Sequence, residues 1–463
     1  MKSKRSEANP EMHSVLANAR RLCVSATLFS AGMLALSGCG GSSSKTPTSP
    51  ATGSPVIVGT QANSLPTQPG QGNVNRYAGI DVAAGGSNWN WRISQPDHSY
   101  SYQLQQGVAS VGSGANSGGL FTTTGDFEFL SDTTNSPYTF SGLNVEIPTG
   151  VAIFEPAFGG FPTGPLAIGV LQQQTGCLAP DGSIQLNFLV IPANVQTLPP
   201  YKAATSALYG TASLAYNNGT FSYEKVAQFA LGGASASAAT VPFTDGYCIQ
   251  AEAGYGIQST VTSYPGVGEQ SLLTYMGVTG QFVGEINVNA PTGPLSTAVG
   301  VVGMVQPSSA IDLSKVTAAT YRGVYDSRSA ASQYADPAYF GRKSGYITSP
   351  VFTQTGTSLV GGYEDFFSLL FTNPPPRVTG DHLLDFGSQD SSNPGLFPSA
   401  KLTEPDPSNL CPSSQQSTGS DGLTYCTFPV VALVGQSYGR YVIYVGGLEP
   451  TTGAAMFYAL LQD

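Results

Sequence analysis

Apolar and polar residues alternate with period two along most of the chain after residue 76. Trp89-Asn90-Trp91-Arg92-Ile93, Ser99-Tyr100-Ser101-Tyr102 and Phe127-Glu128-Phe129 each place their larger side chains on one face of an extended segment. Ile184-Gln185-Leu186-Asn187-Phe188, Gln281 to Val288 and Arg440 to Val445 continue the pattern. Turn formers separate these runs, among them Asn217-Asn218-Gly219, Pro180-Asp181-Gly182 and Asp421-Gly422. Only Ser327 to Ala335 carries a modest helical signal. The pattern predicts an antiparallel all-β protein.

An internal repeat groups the strands. Pro162-Thr163-Gly164-Pro165-Leu166 recurs as Pro291-Thr292-Gly293-Pro294-Leu295, and each copy leads into a small apolar strand. A weaker copy, Pro450-Thr451-Thr452-Gly453, precedes the last strand, Ala454 to Gln462. Upstream, Tyr77-Ala78-Gly79, Tyr209-Gly210-Thr211 and Tyr321-Arg322-Gly323 open matching stretches. Pro sets φ and Gly tolerates positive φ, so each Pro-Thr-Gly predicts a turn. The reading is three β-modules, at residues 76–199, 200–315 and 316–463, the third with a Pro/Ser-rich insertion around 373–427. Tandem barrels or sandwiches fit modules of this size. A β-propeller is the alternative, but the repeats lie 129 and 159 residues apart, too far and too unequally for single blades.

The first 38 residues have the layout of a secretory leader. Lys2, Lys4, Arg5, Arg20 and Arg21 precede an uncharged apolar run, Leu22 to Leu36, about 15 residues long and short of the roughly 20 needed to span a bilayer as a helix. At its end, Leu36-Ser37-Gly38-Cys39 resembles the lipobox of bacterial lipoproteins. That resemblance implies cleavage before Cys39 and acylation of its thiol, with two or three chains anchoring the protein to a membrane. Residues 39–75 are rich in Gly, Ser, Pro and Thr, too polar to order themselves, and read as a disordered stalk. No second apolar run reaches spanning length, so Cys39 is the expected sole attachment. Gly40, in the position after the cysteine, resembles outer-membrane sorting in enterobacterial lipoproteins. The layout as a whole resembles uncharacterised bacterial β-rich lipoproteins, which bring no activity with them.

Charge narrows the partners. Loss of residues 1–38 removes five basic and two acidic residues and takes the net charge from −10 to −13. The remaining Lys and Arg are scattered, which argues against nucleic acid and against electrostatic binding to anionic lipid. Cys23 leaves with the leader, so four cysteines besides Cys39 remain in an oxidising compartment: Cys177, Cys248, Cys411 and Cys426. Cys177–Cys248 and Cys411–Cys426 are the favoured disulfides, the second pair lying inside one module. A zinc site lacks support, because no Cys-x-x-Cys or clustered His is present.

Candidate chemistry is sparse. Val431 to Gly439 resembles the strand and Gly-x-Ser-x-Gly elbow of α/β-hydrolases, with Ser437 as nucleophile. A strand follows where that family needs a helix, and the last His, His382, precedes the serine, so a hairpin turn is expected instead. His382 has Asp381 and Asp385 as neighbours and reads as a strand-end residue satisfied by local carboxylates; His98 is isolated. Glu404 with Asp406, and Glu364 with Asp365, are acidic pairs without calcium-ligand spacing. Neither a metal nor a cofactor is expected, and catalytic residues are not assigned. Trp89 and Trp91 share one strand face, Tyr100 and Tyr102 the next. Such ladders stack on sugar rings or fill a core. The expected role is binding or structural, at the cell envelope, with a glycan or an envelope protein as partner. An envelope hydrolase of glycans or esters is the rival.

Overall fold

The computed structural model describes residues 59–60, 74–81, 88–94, 99–106, 116–124, 127–131, 142–146, 150–155, 157–158, 161–162, 167–172, 176–180, 182–192, 208–231, 243–250, 255–264, 268–289, 296–327, 335–341, 347–348, 351–363, 378–437, 439–450, 453 and 455–462. The leader, Leu36 to Cys39 and most of the spacer lie outside them. Among the described residues, no helix is long and apolar enough to cross a membrane.

Strands dominate, and they close into rings. In the first barrel, strands Val74–Asp81, Asn88–Ser94, Ser99–Gln106, Asn116–Thr124, Phe127–Ser131, Gly142–Glu146 and Val151–Glu155 pair antiparallel in chain order. The closing strand, Ala167–Leu171, then pairs with both the last of these and the first. The second barrel repeats the plan from Ser183–Pro192 to Ser296–Val305, and those two strands pair to close it. The third runs from Tyr321–Ser327 through Ala335–Phe340, Ser358–Tyr363, His382–Asp385, Lys401–Pro405, Thr424–Ser437 and Arg440–Leu448 to Ala455–Gln462. Its last strand returns to its first, so its pairings also form a ring of eight. The 14-residue strand Thr424–Ser437 makes this possible. One side carries Lys401–Pro405 and then Leu396–Phe397, while the other carries Gln416–Thr418 and then Arg440–Leu448. Closure leaves the ring strands without free edges, so backbone N–H and C=O groups find partners around the whole circumference.

The architecture is therefore tandem up-and-down barrels, neither sandwiches nor propeller blades. Each Pro-Thr-Gly copy stands just before the strand that closes its ring. Three expectations need correction. Ser183–Pro192 belongs to the second barrel, so the first boundary falls between Leu171 and Ser183 and not after residue 199. Tyr209-Gly210-Thr211 accordingly opens the second strand of its ring, not the first. Residues 373–427 are not an insertion, because His382–Asp385 and Lys401–Pro405 are staves of the third barrel; their brevity and the prolines around them hid their alternation.

Two further readings shift. The segment read as helical at Ser327 to Ala335 has a strand at each end. The described helix, α1 (Leu313–Ala318), instead sits in the connection between the second and third barrels, capped by Asp312 Oδ1 accepting from Ser314 N at 3.1 Å. Within the expected stalk, Gly59–Thr60 pairs in parallel with Leu178–Ala179, and Val74–Asn75 begin the first barrel.

Among the described residues, two cores hold the barrels. One fills the third barrel with alternate residues such as Val430, Ala432, Val434, Ile443 and Tyr458. The intervening residues Val431, Leu433, Val442, Tyr444 and Phe457 point out of it, into a second core. There they meet Leu189, Val302 and Met304 of the second barrel, and the same core reaches Ile80, Ile153 and Val170 of the first. Strands buried on both faces are apolar without interruption, as Val430 to Val434 is. Each such Val or Leu contributes about 1.5–3 kcal/mol on burial.

Polar links cross the same seams. Gln172 Nε2 donates to Met276 O at 3.2 Å, and Tyr255 N donates to Gln172 Oε1 at 3.0 Å. Between second and third barrels, Asn187 Nδ2 donates to Pro394 O at 2.8 Å. Both disulfides form, with Cα separations of 5.7 Å for Cys177–Cys248 and 5.8 Å for Cys411–Cys426. Cys177 lies in the connection after the first barrel, and its bond ties that connection to a stave of the second.

Candidate functional site

Three segments far apart in sequence converge where the second barrel meets the third. The tight turn at 278–280 ends one arm of the second barrel, the connection 306–312 leaves it, and the hairpin around Ser437 and Arg440 ends an arm of the third. Between them lies a cleft of ≈ 650 Å³. This is within the roughly 300–1,000 Å³ range of pockets that hold small ligands.

The inner wall is fixed by the barrels. Gln281 is 1% exposed and accepts a short hydrogen bond from the Thr279 hydroxyl. Gly277 N donates to Gln281 O at 2.8 Å and Gly280 N to Gly277 O at 3.1 Å, which closes the turn. Gln306 is held from behind. Its Nε2 donates to Asn187 Oδ1 at 2.9 Å and to Asn393 Oδ1 at 3.0 Å, leaving Oε1 as the acceptor it can offer. Tyr441, at the opposite wall, is pinned through its backbone N–H to Gln462 Oε1 at 2.8 Å.

The outer wall is open to water. Ser308, Ser309 and Gln436 are exposed. The two charged residues in the lining, Asp312 and Lys315, face each other one turn apart at 3.7 Å on α1. Asp312 also accepts from the Ser314 hydroxyl at 2.6 Å, and that bond, with the Ser314 N–H and Lys315, holds its carboxyl below the usual range. Among the described residues of the lining the charges therefore cancel. Amide and hydroxyl groups that both donate and accept set its chemistry, over a floor that includes Ile184, Val278, Met304 and Pro307.

The second barrel also holds a small interior gap. A gap of ≈ 40 Å³ remains among Leu186, Phe188, Tyr223, Leu272 and Phe282. Tyr223 Oη and Thr274 Oγ1 lie 2.5 Å apart beside it, and burial pushes the Tyr223 hydroxyl pKa up. That volume suits a water molecule or two, not a ligand.

None of the site residues singled out from sequence is among the described lining of the cleft. Cys39, His98, Glu364 and Asp365 lie outside the described residues. For the aromatic ladder the backbone is described and the side chains are not. Trp91 is the register partner of Tyr102 on one side and of Tyr77 on the other, while Tyr100 pairs with Ile93 and Trp89 with Leu104. Ser437 ends a strand and pairs with Arg440 across a hairpin, as the turn reading requires. Its buried hydroxyl has no hydrogen-bond partner. His382 starts a strand, is buried, and has Nδ1 2.7 Å from Asp381 Oδ1. Asp406 accepts from the backbone N–H of Leu410 and Cys411, both at 3.0 Å, and so braces the smaller disulfide loop. Among the described residues, no three His, Cys, Asp or Glu side chains are grouped to hold a metal.

No family model and no curated protein matches the chain. Among solved structures it is similar to a DUF3598-family protein of unknown function from Nostoc punctiforme PCC 73102, with 9% identity, 61% of this chain and 95% of that one covered, and a TM-score of 0.19. It is also similar to a variant of the vaccine antigen Transferrin Binding Protein B from Haemophilus parasuis Hp5, with 6% identity, 88% and 78% covered, and a TM-score of 0.23. Intact Ap-TbpB, with its N and C lobes, gives 7% identity, 86% and 79% covered, and a TM-score of 0.18. Likenesses of this size assign nothing to this chain.

Proposed function

We propose that the chain is a lipid-anchored envelope protein that binds a ligand in the cleft between its second and third barrels. The observation that carries this reading is the cleft itself: ≈ 650 Å³, neutral, and walled by hydrogen-bonding side chains fixed to two closed barrels. Staves paired on both sides give it rigid walls, and preorganised walls lower the ordering cost of binding. The lipobox-like Leu36 to Cys39 supports attachment through acyl chains on Cys39, and Gly40 supports the outer membrane as destination. The Gly/Ser/Pro/Thr-rich spacer between Cys39 and the first barrel suits a tether that holds the barrels off the lipid.

The test places a photo-crosslinking amino acid at exposed Ser309 in the full-length protein and irradiates intact cells. A covalent adduct at that position, absent when the crosslinker sits on the far side of the third barrel at Leu423, is the expected result. Absence of any adduct at Ser309 sinks the binding reading. In the same cells a Cys39→Ser variant is expected to leave the membrane fraction. A variant that stays fully membrane-bound refutes the anchor.

A further inference from the structure

We infer that the ligand of this cleft is an uncharged oligosaccharide. The inference rests on the cleft being the binding site and adds the chemical class of what it takes.

Charge removes the first alternatives. Asp312 and Lys315 are the charged residues of the lining, and they satisfy each other at 3.7 Å. A phosphorylated, sulfated or nucleic-acid ligand needs a surplus of fixed cations, and an oligocation needs a surplus of carboxylates. Among its described residues the cleft has neither.

Hydrogen-bonding chemistry selects among neutral ligands. Gln436, Ser308, Ser309 and Tyr441 line the cleft with groups that donate and accept from one side chain, and Gln306 adds a fixed acceptor. Sugar hydroxyls also donate and accept at one atom, so a ring of such groups is matched donor for acceptor without net charge. The apolar floor of Ile184, Val278 and Pro307 suits the C–H faces of a pyranose ring.

Topology argues against a peptide. Extended peptides that bind by strand addition draw their affinity from main-chain hydrogen bonds to an open sheet edge. Gln281–Asn289, Ser296–Val305 and Arg440–Leu448 are already paired on both sides, whereas Gly435 to Ser437 of Thr424–Ser437 and Ser183 and Ile184 of Ser183–Pro192 have one described ladder partner each. Gln281–Asn289 lies between Gly268–Met276 and Ser296–Val305, and Ser296–Val305 also pairs with Ser183–Pro192. Arg440–Leu448 lies between Thr424–Ser437 and Ala455–Gln462. The unladdered stretches are two or three residues long, too short for a peptide strand to add to, so recognition here runs mainly through side chains, and those side chains are amides and hydroxyls.

The deciding experiment applies the full-length protein, in a detergent that carries no sugar headgroup, to an array of neutral and acidic oligosaccharides with a set of neutral peptides beside them. Wild type is expected to bind neutral oligosaccharides. Gln436→Ala should weaken binding about ten-fold, the loss of one or two hydrogen bonds. Ser309→Trp should abolish it by filling the cleft. Both positions are exposed, and circular-dichroism melts that match wild type confirm that the variants fold. Binding confined to acidic glycans, binding of peptides only, binding unchanged in both variants, or no binding at all each overturns the assignment. If the Ser309 crosslinker still captures an adduct while the array stays blank, the site survives and only its oligosaccharide class falls.

Discussion

Met304 Sδ lies 2.6 Å from where a Cβ on Gly435 would stand, so the second and third barrels meet side chain against backbone at the wall of the cleft. Because the atom in the way is the end of a flexible thioether, Gly435→Ala should cost under about 1 kcal/mol as Met304 swings aside. Gly435→Val leaves no such escape and should cost about 1–3 kcal/mol by overpacking. Chemical denaturation of both variants, with Gly435→Val/Met304→Ala as the rescue, checks this. Equal losses for Ala and Val would show that Met304 is not the obstacle.

Asn187 extends the same seam. It is fully buried, donates to Pro394 O and accepts from Gln306 Nε2. Asn187→Ala strands a carbonyl and loosens Gln306 at the cleft wall, and should destabilise by about 1–3 kcal/mol. Asn187→Asp keeps the acceptor and loses the donor, so it should also be destabilised. A denaturation midpoint unchanged in both would remove Asn187 from the account of how the barrels are joined.

The disulfides should contribute unequally. Cys411–Cys426 closes a loop with a sequence separation of 15, and Cys177–Cys248 one of 71. Chain entropy gives about 3 kcal/mol for the first and about 4 for the second. Cys411→Ala/Cys426→Ala has a second support to fall back on, because Asp406 still bonds Leu410 and Cys411 N–H. Thermal melts of the two double variants should therefore show the larger drop for Cys177→Ala/Cys248→Ala. The reverse order would mean that the Asp406 brace fails without its disulfide.

Local pattern made the strands legible, and the Pro-Thr-Gly repeat marked the closing stave of all three rings, because both are properties of a few consecutive residues. Ser183–Pro192 falls outside the expected second module because Tyr209-Gly210-Thr211, which matches the openings at Tyr77 and Tyr321, marks the second strand of its ring and not the first. The helix Leu313–Ala318 is only six residues long, too short for a periodic signal, and the Asp312 cap was its one mark. The cleft had no signature at all. Its walls come from residues 278–281, 304–312 and 435–441, which meet only because two rings close and then pack on one another. Gln, Ser and Thr at such positions look in sequence like any other loop residues.

Glu404 makes stability depend on pH. It faces Cys426 across the ladder, and its carboxyl is pushed up from the ordinary 4.5 to about 8, first by burial and then by the nearby Glu449 and Asp406 charges. The fold therefore favours the protonated form. Between about pH 4.5 and 8 the native state holds a proton that the unfolded chain has released, so stability from this group is full at the acid end and falls as pH rises. Wild type should unfold more easily at pH 8 than at pH 5.5. Glu404→Gln, which keeps the neutral shape and cannot ionise, should flatten that part of the profile and be the more stable protein at pH 8. Urea titrations at several pH values decide it, and an unchanged slope in the variant would place the dependence on another group.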